Sequence, residues 1–504
     1  MKVFTSRKLI QWTGILFFVL VLGTPNLMEA EAKTLMIGAS VFPEKLSTGI
    51  SSYASLSLIY QMVDPLVMRD DNMKLIPGLA TRWEALNPTT WRFYLREGVK
   101  FHDGEEFTAE DVKFTLDYVL NPKTVYARKR RITQIKETKI VDKYTVDIIT
   151  KKPFPTLALG LTDVPIEPKH YHAAVGVAGM TKKPVGTGPF KLAKWVPGDR
   201  LELSANKDYW AGAPKVDKVV IRQIPEGSTR TASLLAGETH IIEEVPVDLL
   251  PEIKSNDLTQ VASVESTVGL CLTMDTRKKP YDNPKVRLAM DYAINKPLIL
   301  KQILRDQGSL LGGQVLTSNA FGHNPNLKPR PYDPEKAKQL LKEAGYPDGF
   351  TTSITTRSGK YLSDVDICNA VVGMLSQVGI KATVKVVEGG VYSKMVKKRD
   401  MGPIHVVGWY SLGDGDYSTV WFTQGGGRAF WESKEYDKLF IDARSTVDRA
   451  AREKAYWRMM EILQEENPAV FLFGLPSIYA MNRNLTGWNP RGDKCLRLNT
   501  AEVK

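Results

Sequence analysis

Cysteine and histidine are scarce in this chain, and familiar catalytic motifs are missing. Three cysteines in 504 residues, Cys271, Cys368 and Cys495, exclude a disulfide framework; an oxidising compartment would permit one bridge, and no spacing selects the pair. There are six histidines. With no GxSxG elbow, HExxH helix, P-loop or CxxC pair, nucleophilic, zinc and nucleotide chemistry have nothing to build on. Glu167, His170 and His172 lie close in sequence, but in a Pro-rich stretch without helical spacing to converge them, so a solvated loop is expected there. No catalytic residue, metal site or cofactor is expected, and the chain does not read as an enzyme. Internal repeats and low-complexity tracts are also absent, which excludes solenoid, collagen-like and disordered classes.

Only one apolar run stands out. Lys2, Arg7 and Lys8 precede residues 9–22, and Ala30-Glu31-Ala32 offers a small-x-small cleavage site. At about 14 residues the run is short for a membrane span of roughly 20, so residues 1–32 read as a secretory signal peptide, with an uncleaved anchor as the alternative. No cysteine follows to carry a lipid, and a mature protein free in the periplasm is expected. The formal charge of +12 becomes +11 on cleavage, because the segment carries three basic and two acidic side chains. After export, that balance suits acidic ligands or anionic membrane surfaces and not nucleic acid. Residues 128–131, the sharpest basic run, are expected to form a solvated face.

What is present is a mixture of short strands and amphipathic helices, hence an α/β or α+β fold. Trp91, Phe93 and Leu95 alternate with polar residues, as do Tyr144, Val146 and Ile148. Thr108 before Ala109-Glu110-Asp111 predicts a capped helix that ends at Asn121-Pro122. GTGPF (186–190) predicts a tight turn into a hairpin whose second strand lies near Leu201–Leu203. Asn283-Pro284 and Asp333-Pro334 predict two more helix starts, with Gly345 closing the second helix. Ser363 is the expected cap of a helix that feeds, through Gly379, a strand containing Ile380, Ala382 and Val384. A long helix from Asp448, burying Ala451 and Ala455, is expected to lead to a short buried strand at 470–473.

The stretch 405–424, HVVGWYSLGDGDYSTVWFTQ, combines an apolar strand with glycines, aromatics and acids. Trp409, Tyr410, Tyr417 and Trp421 offer stacking faces, while Asp414 and Asp416 offer acceptors for a cationic or hydroxylated guest. An ordinary strand and turn, with aromatics in the core, is the competing interpretation.

Several segments together resemble the family 5 extracytoplasmic solute-binding proteins, the peptide/nickel-type receptors of ABC importers. They include IYQMVDPLV (59–67), WRFYLREGVKFHDGEEFTAEDVKFTLDYVLNP (91–122), PVGTGPFKL (184–192), NPKVRLAMDYAIN (283–295), YDPEKAKQLLKEAGYPDGF (332–350) and QVGIKATV (377–384). The resemblance implies a two-lobed periplasmic-binding-protein fold of the cluster C type, with an extra subdomain in the first lobe. Lobe I would comprise 33–58, 184–268 and 474–504, its added subdomain 59–183, and lobe II 269–473. Hinge crossings are expected near 268–274 and 473–479. The implied function is capture of a short peptide or peptide-like carboxylate and its delivery to a membrane permease, by a monomer that binds no nucleic acid. A same-fold receptor for nickel-chelator, haem or another non-peptide solute is the alternative, and a secreted hydrolase or periplasmic chaperone a more distant one.

In dipeptide-type members an arginine holds the ligand carboxylate, and Arg357 stands at the matching distance before Val378-Gly379. An aspartate three residues after the GW tryptophan holds the amine; here that position is Leu412, so Asp414 or Asp416 would have to replace it. The segment 47–55 resembles the first-lobe loop that touches the ligand and nominates Gly49, Ser51 and Tyr53.

Overall fold

The structure, a computed structural model, describes residues 32–49, 53–357, 359–426 and 429–504. Residues 1–31 of the expected signal peptide and Ser51 lie outside the described residues. Among these residues, no helix is long and apolar enough to cross a membrane.

Two antiparallel strands, Thr259–Met274 and Ala469–Asn482, form the spine. They pair over 259–265 and again over 269–273, with a register break between Glu265 and Gly269. Such a break bends a ladder, so one strand pair serves two lobes. Glycine is required at the bend: a β-carbon on Gly269 would stand 2.5 Å from the Val315 carbonyl oxygen. The buried strand expected at 470–473 is thus the start of a much longer one.

On one side of the spine, Thr34–Ala39 runs parallel to both Lys218–Gln223 and Ile241–Glu243. The predicted hairpin, Phe190–Val196 with Arg200–Ala205, completes that edge. Ile37, Leu203 and Ile221 pack there against Trp488 and Leu498, so the chain end returns to the first lobe. On the other side, Ile404–Tyr410 pairs with Thr259–Met274, and Thr351–Arg357 runs parallel to Ile404–Tyr410 and Lys381–Val387. All belong to one eleven-stranded sheet among the described residues. Parallel neighbours need crossovers, and helices such as Asp364–Ser376 supply them.

The added subdomain has its own core. A four-stranded antiparallel sheet carries Phe93, Val146 and Ile148 against Val112 and Leu116 of helix Ala109–Leu120. Thr108 and Asp111 form the capping box of that helix, and Asn121 closes it. Asn283, Asp333 and Asp448 likewise cap their helices through side-chain oxygens.

Four expectations are corrected. Ser363 adopts a left-handed conformation (φ 50) and makes no side-chain cap. Ala451 is exposed, because its neighbour Arg452 turns inward to a carboxylate partner. Arg128 and Arg131 are buried, not a solvated face; Asp163, 2.7 Å from Arg131 Nε, compensates the charge of the second. His170 and His172 belong to helix Lys169–Lys182 and not to a loop. Beside them Glu167 is buried and accepts from Thr48 Oγ1 at 2.5 Å, while His170 Nε2 lies 2.8 Å from Asp103. All three cysteines are free thiols.

Candidate ligand-binding site

In α/β sheets, ligands bind outside the carboxyl ends of the strands. In the first lobe those ends present Ser40, after Thr34–Ala39, and Glu243 with Glu244. In the second they present Arg357, at the end of its strand, and the loop that follows Tyr410. The two edges meet: Leu362 packs against first-lobe residues Leu234, Ile242 and Ile478, and Lys360 acts electrostatically on Glu244.

Arg357 donates from Nη2 to the Tyr361 hydroxyl at 2.9 Å. Its guanidinium carbon lies 4.5 Å from the Tyr392 ring centroid and 5.5 Å from that of Tyr361. Nε is buried without a hydrogen-bond acceptor, and no carboxylate pairs with this guanidinium among the described residues. A guanidinium between two aromatic rings with unused donors is suited to a planar anion such as a carboxylate.

The 405–424 stretch divides. Trp409 is core: it is 2% exposed and stacks on Trp421 at a centroid distance of 5.7 Å. Leu412 is buried with φ 53, in the left-handed region. Asp414 receives Arg452 Nη2 at 2.9 Å on each oxygen, and Asp416 lies 2.7 Å from Arg444 Nε. Burial pushes the Asp416 carboxyl up, and Arg444 offsets part of that shift. Both carboxylates are paired with arginines inside their own lobe. Tyr410 is half-buried at the strand end.

Tyr417 and Trp421 face the first lobe instead. The guanidinium of Arg131 stands 4.3 Å from the Tyr417 ring centroid, and that of Arg130 stands 4.9 Å from Trp421. Behind them runs a chain of alternating charge. Asp163 joins Arg131 to Arg69 at 2.7 and 3.1 Å, and Asp493 joins Arg69 to Arg491 at 3.5 and 2.9 Å. Gly413 (φ 93) abuts the backbone of Met73, where a β-carbon would lie 3.3 Å from the carbonyl oxygen. The basic run and the aromatic loop are thus two halves of one contact between lobes.

Of the first-lobe nominees, Gly49 accepts from Ala127 N at 3.2 Å and packs on the Tyr126 ring. Tyr53 opens helix Tyr53–Ile59. A group that the sequence did not single out lies at the first-lobe strand ends. Ser40, Glu243, Glu244, Ser477, Tyr479 and Lys494 line a narrow pocket. Glu244 is left-handed (φ 53), and Arg230 fixes the corner by donating to the carbonyls of Glu243 at 3.0 Å and Glu244 at 2.9 Å. The GETHIIEEVP sequence reads as a plain strand end, which is why the corner gave no signal.

Two lobes that share one strand pair, with strand ends presented on each and an arginine with a donor to spare at one of them, fit a solute-binding receptor. The chain belongs to the bacterial extracellular solute-binding proteins of family 5: residues 74–430 match "Bacterial extracellular solute-binding proteins, family 5 Middle". It is 31% identical over 455 residues to the glutathione-binding protein GsiB of Pectobacterium atrosepticum, covering 86% of this chain and 87% of that one. Among solved structures it resembles the periplasmic binding protein DppA of Helicobacter pylori in complex with the peptide STSA. That likeness has a TM-score of 0.81 and 27% identity, over 93% of this chain and 98% of the other. NikZ of Campylobacter jejuni, in complex with Ni(L-His), is similar with a TM-score of 0.79 and 25% identity, over 91% and 96% of the two chains. Such proteins are extracytoplasmic receptors of ABC importers, and the family is one of binding proteins.

Proposed function

We propose that this receptor captures a short peptide or peptide-like carboxylate and that Arg357 holds the carboxylate. The observation that carries the reading is the Arg357 guanidinium, clasped by Tyr361 and Tyr392, with Asp364 acting on it electrostatically but no carboxylate in salt-bridge contact among the described residues. The guanidinium is half-buried and its Nε is buried without an acceptor, and an incoming carboxylate would supply that acceptor. Closure would move 269–473 against 33–58, 184–268 and 474–504 with the added subdomain 59–183. Export to the periplasm by a cleaved signal peptide, without a lipid anchor, and delivery to a membrane permease complete the proposal.

The glutathione-binding relative makes glutathione the first probe, with di- and tripeptides beside it. The neighbour bound to Ni(L-His) makes metal chelates of amino acids the second class to test; the Arg357 contact serves either carboxylate. Arg357→Ala should weaken the best carboxylate ligand by about 2–5 kcal/mol in calorimetric titration. Unchanged affinity would remove Arg357 from the site.

A further inference from the structure

The pocket at the first-lobe strand ends holds two polar side chains that make no hydrogen bond or ion pair through their side-chain oxygens among the described residues. Glu243 is 4% exposed, and no hydrogen bond or ion pair reaches its carboxylate among the described residues. Ser477 is 3% exposed, and its Oγ has no hydrogen-bond partner among the described residues. The nearby cations are committed elsewhere. Arg230 spends its donors on the carbonyls of Ile224, Pro225, Glu243 and Glu244. Lys494 is paired with Glu244. Tyr479, the cross-strand partner of Glu243, also lines the pocket, and its hydroxyl donates to the Arg491 carbonyl at 3.4 Å. Glu243 and Ser477 line one narrow pocket, and a compact donor carrying positive charge would satisfy both, drawing the Glu243 carboxyl into its charged form.

We propose that Glu243 and Ser477 form a subsite for an ammonium group, the free amine of the captured ligand. The proposal rests on the carboxylate-receptor reading and adds a second anchor to it. It also resolves the gap in the second-lobe loop: Leu412 is apolar, and Asp414 and Asp416 are held by Arg452 and Arg444. The amine contact moves to the first lobe, opposite the edge that carries Arg357. A ligand with an amine at one end and a carboxylate at the other then touches both lobes, which is how binding energy drives closure.

The test is calorimetric titration of the full receptor with glutathione and dialanine, and with their N-acetyl forms. Wild type should prefer the free amines by about tenfold or more, as expected for loss of a charge-assisted contact. Glu243→Gln should lose most of that preference, while its affinity for the acetylated forms stays near that of wild type. Glu243→Asp should retain part of the preference, separating charge from folding. If Glu243→Gln keeps the wild-type preference, or wild type binds both forms equally, the ammonium subsite is wrong and the receptor reading stands. If neither set binds to wild type, the carboxylate reading falls and the subsite falls with it.

Discussion

At the scale of residues, the acids of the GDGD loop show how far composition can mislead about role. Asp414 and Asp416 look available in the sequence, but the arginines that claim them lie one and two helices further on. Asp414→Asn leaves Arg452, itself buried, without its partner, and should cost about 3–5 kcal/mol in urea denaturation. A loss below 1 kcal/mol would mean that the pair is not the internal brace described. Glu243 gives the opposite case. Burial, aided by Glu244 and opposed by Lys494 and Arg230, pushes its carboxyl from 4.5 up to about 8. A raised acid favours the neutral form, so the native state binds the extra proton between those values. Stability from this group is full below 4.5 and is lost as pH climbs through about 8. Glu243→Gln should therefore match wild type near the acid end and melt higher at pH above the raised value. Melting curves that stay parallel across the range would contradict this.

At the scale of elements, local signals were legible and long-range ones were not. Thr108, Asn283, Asp333 and Asp448 cap helices because the oxygen that satisfies the first turn sits in the same few residues. The GTGPF turn was equally legible, and the structure adds its cause. A β-carbon on Gly186 would lie 2.3 Å from the Met62 carbonyl oxygen, and one on Gly188 would lie 2.4 Å from the Met62 carbonyl carbon. The turn is glycine-rich because it packs on a neighbouring backbone. Gly186→Ala should cost about 1–3 kcal/mol by overpacking, read as a lower denaturation midpoint; a neutral effect would show that the segment shifts freely. Ser363 fails as a cap because it is itself left-handed, which a hydroxyl in the sequence does not reveal. Residues 128–131 read as solvated because Asp163 and the rings of Tyr417 and Trp421 reach them only through the fold.

At the scale of the molecule, family segments spread along the chain made the two-lobed plan legible before any coordinates. The site was legible only in part. Arg357 was nominated and lies at a strand end facing the other lobe, while Trp409 belongs to the core and Tyr417 to the contact between lobes. The Glu243 corner was invisible, because its chemistry arises from what surrounds it. One strand pair crosses both lobes, with its register break between them, and Arg130, Arg131 and Leu362 make contacts from one lobe to the other. Calorimetric titration of the mature receptor with glutathione, di- and tripeptides, and metal chelates of amino acids tests the account most directly. Saturable one-to-one binding of a carboxylate ligand, with a matching rise in melting temperature, is the predicted result. Silence from every carboxylate, or tight binding of a ligand that carries none, would contradict it.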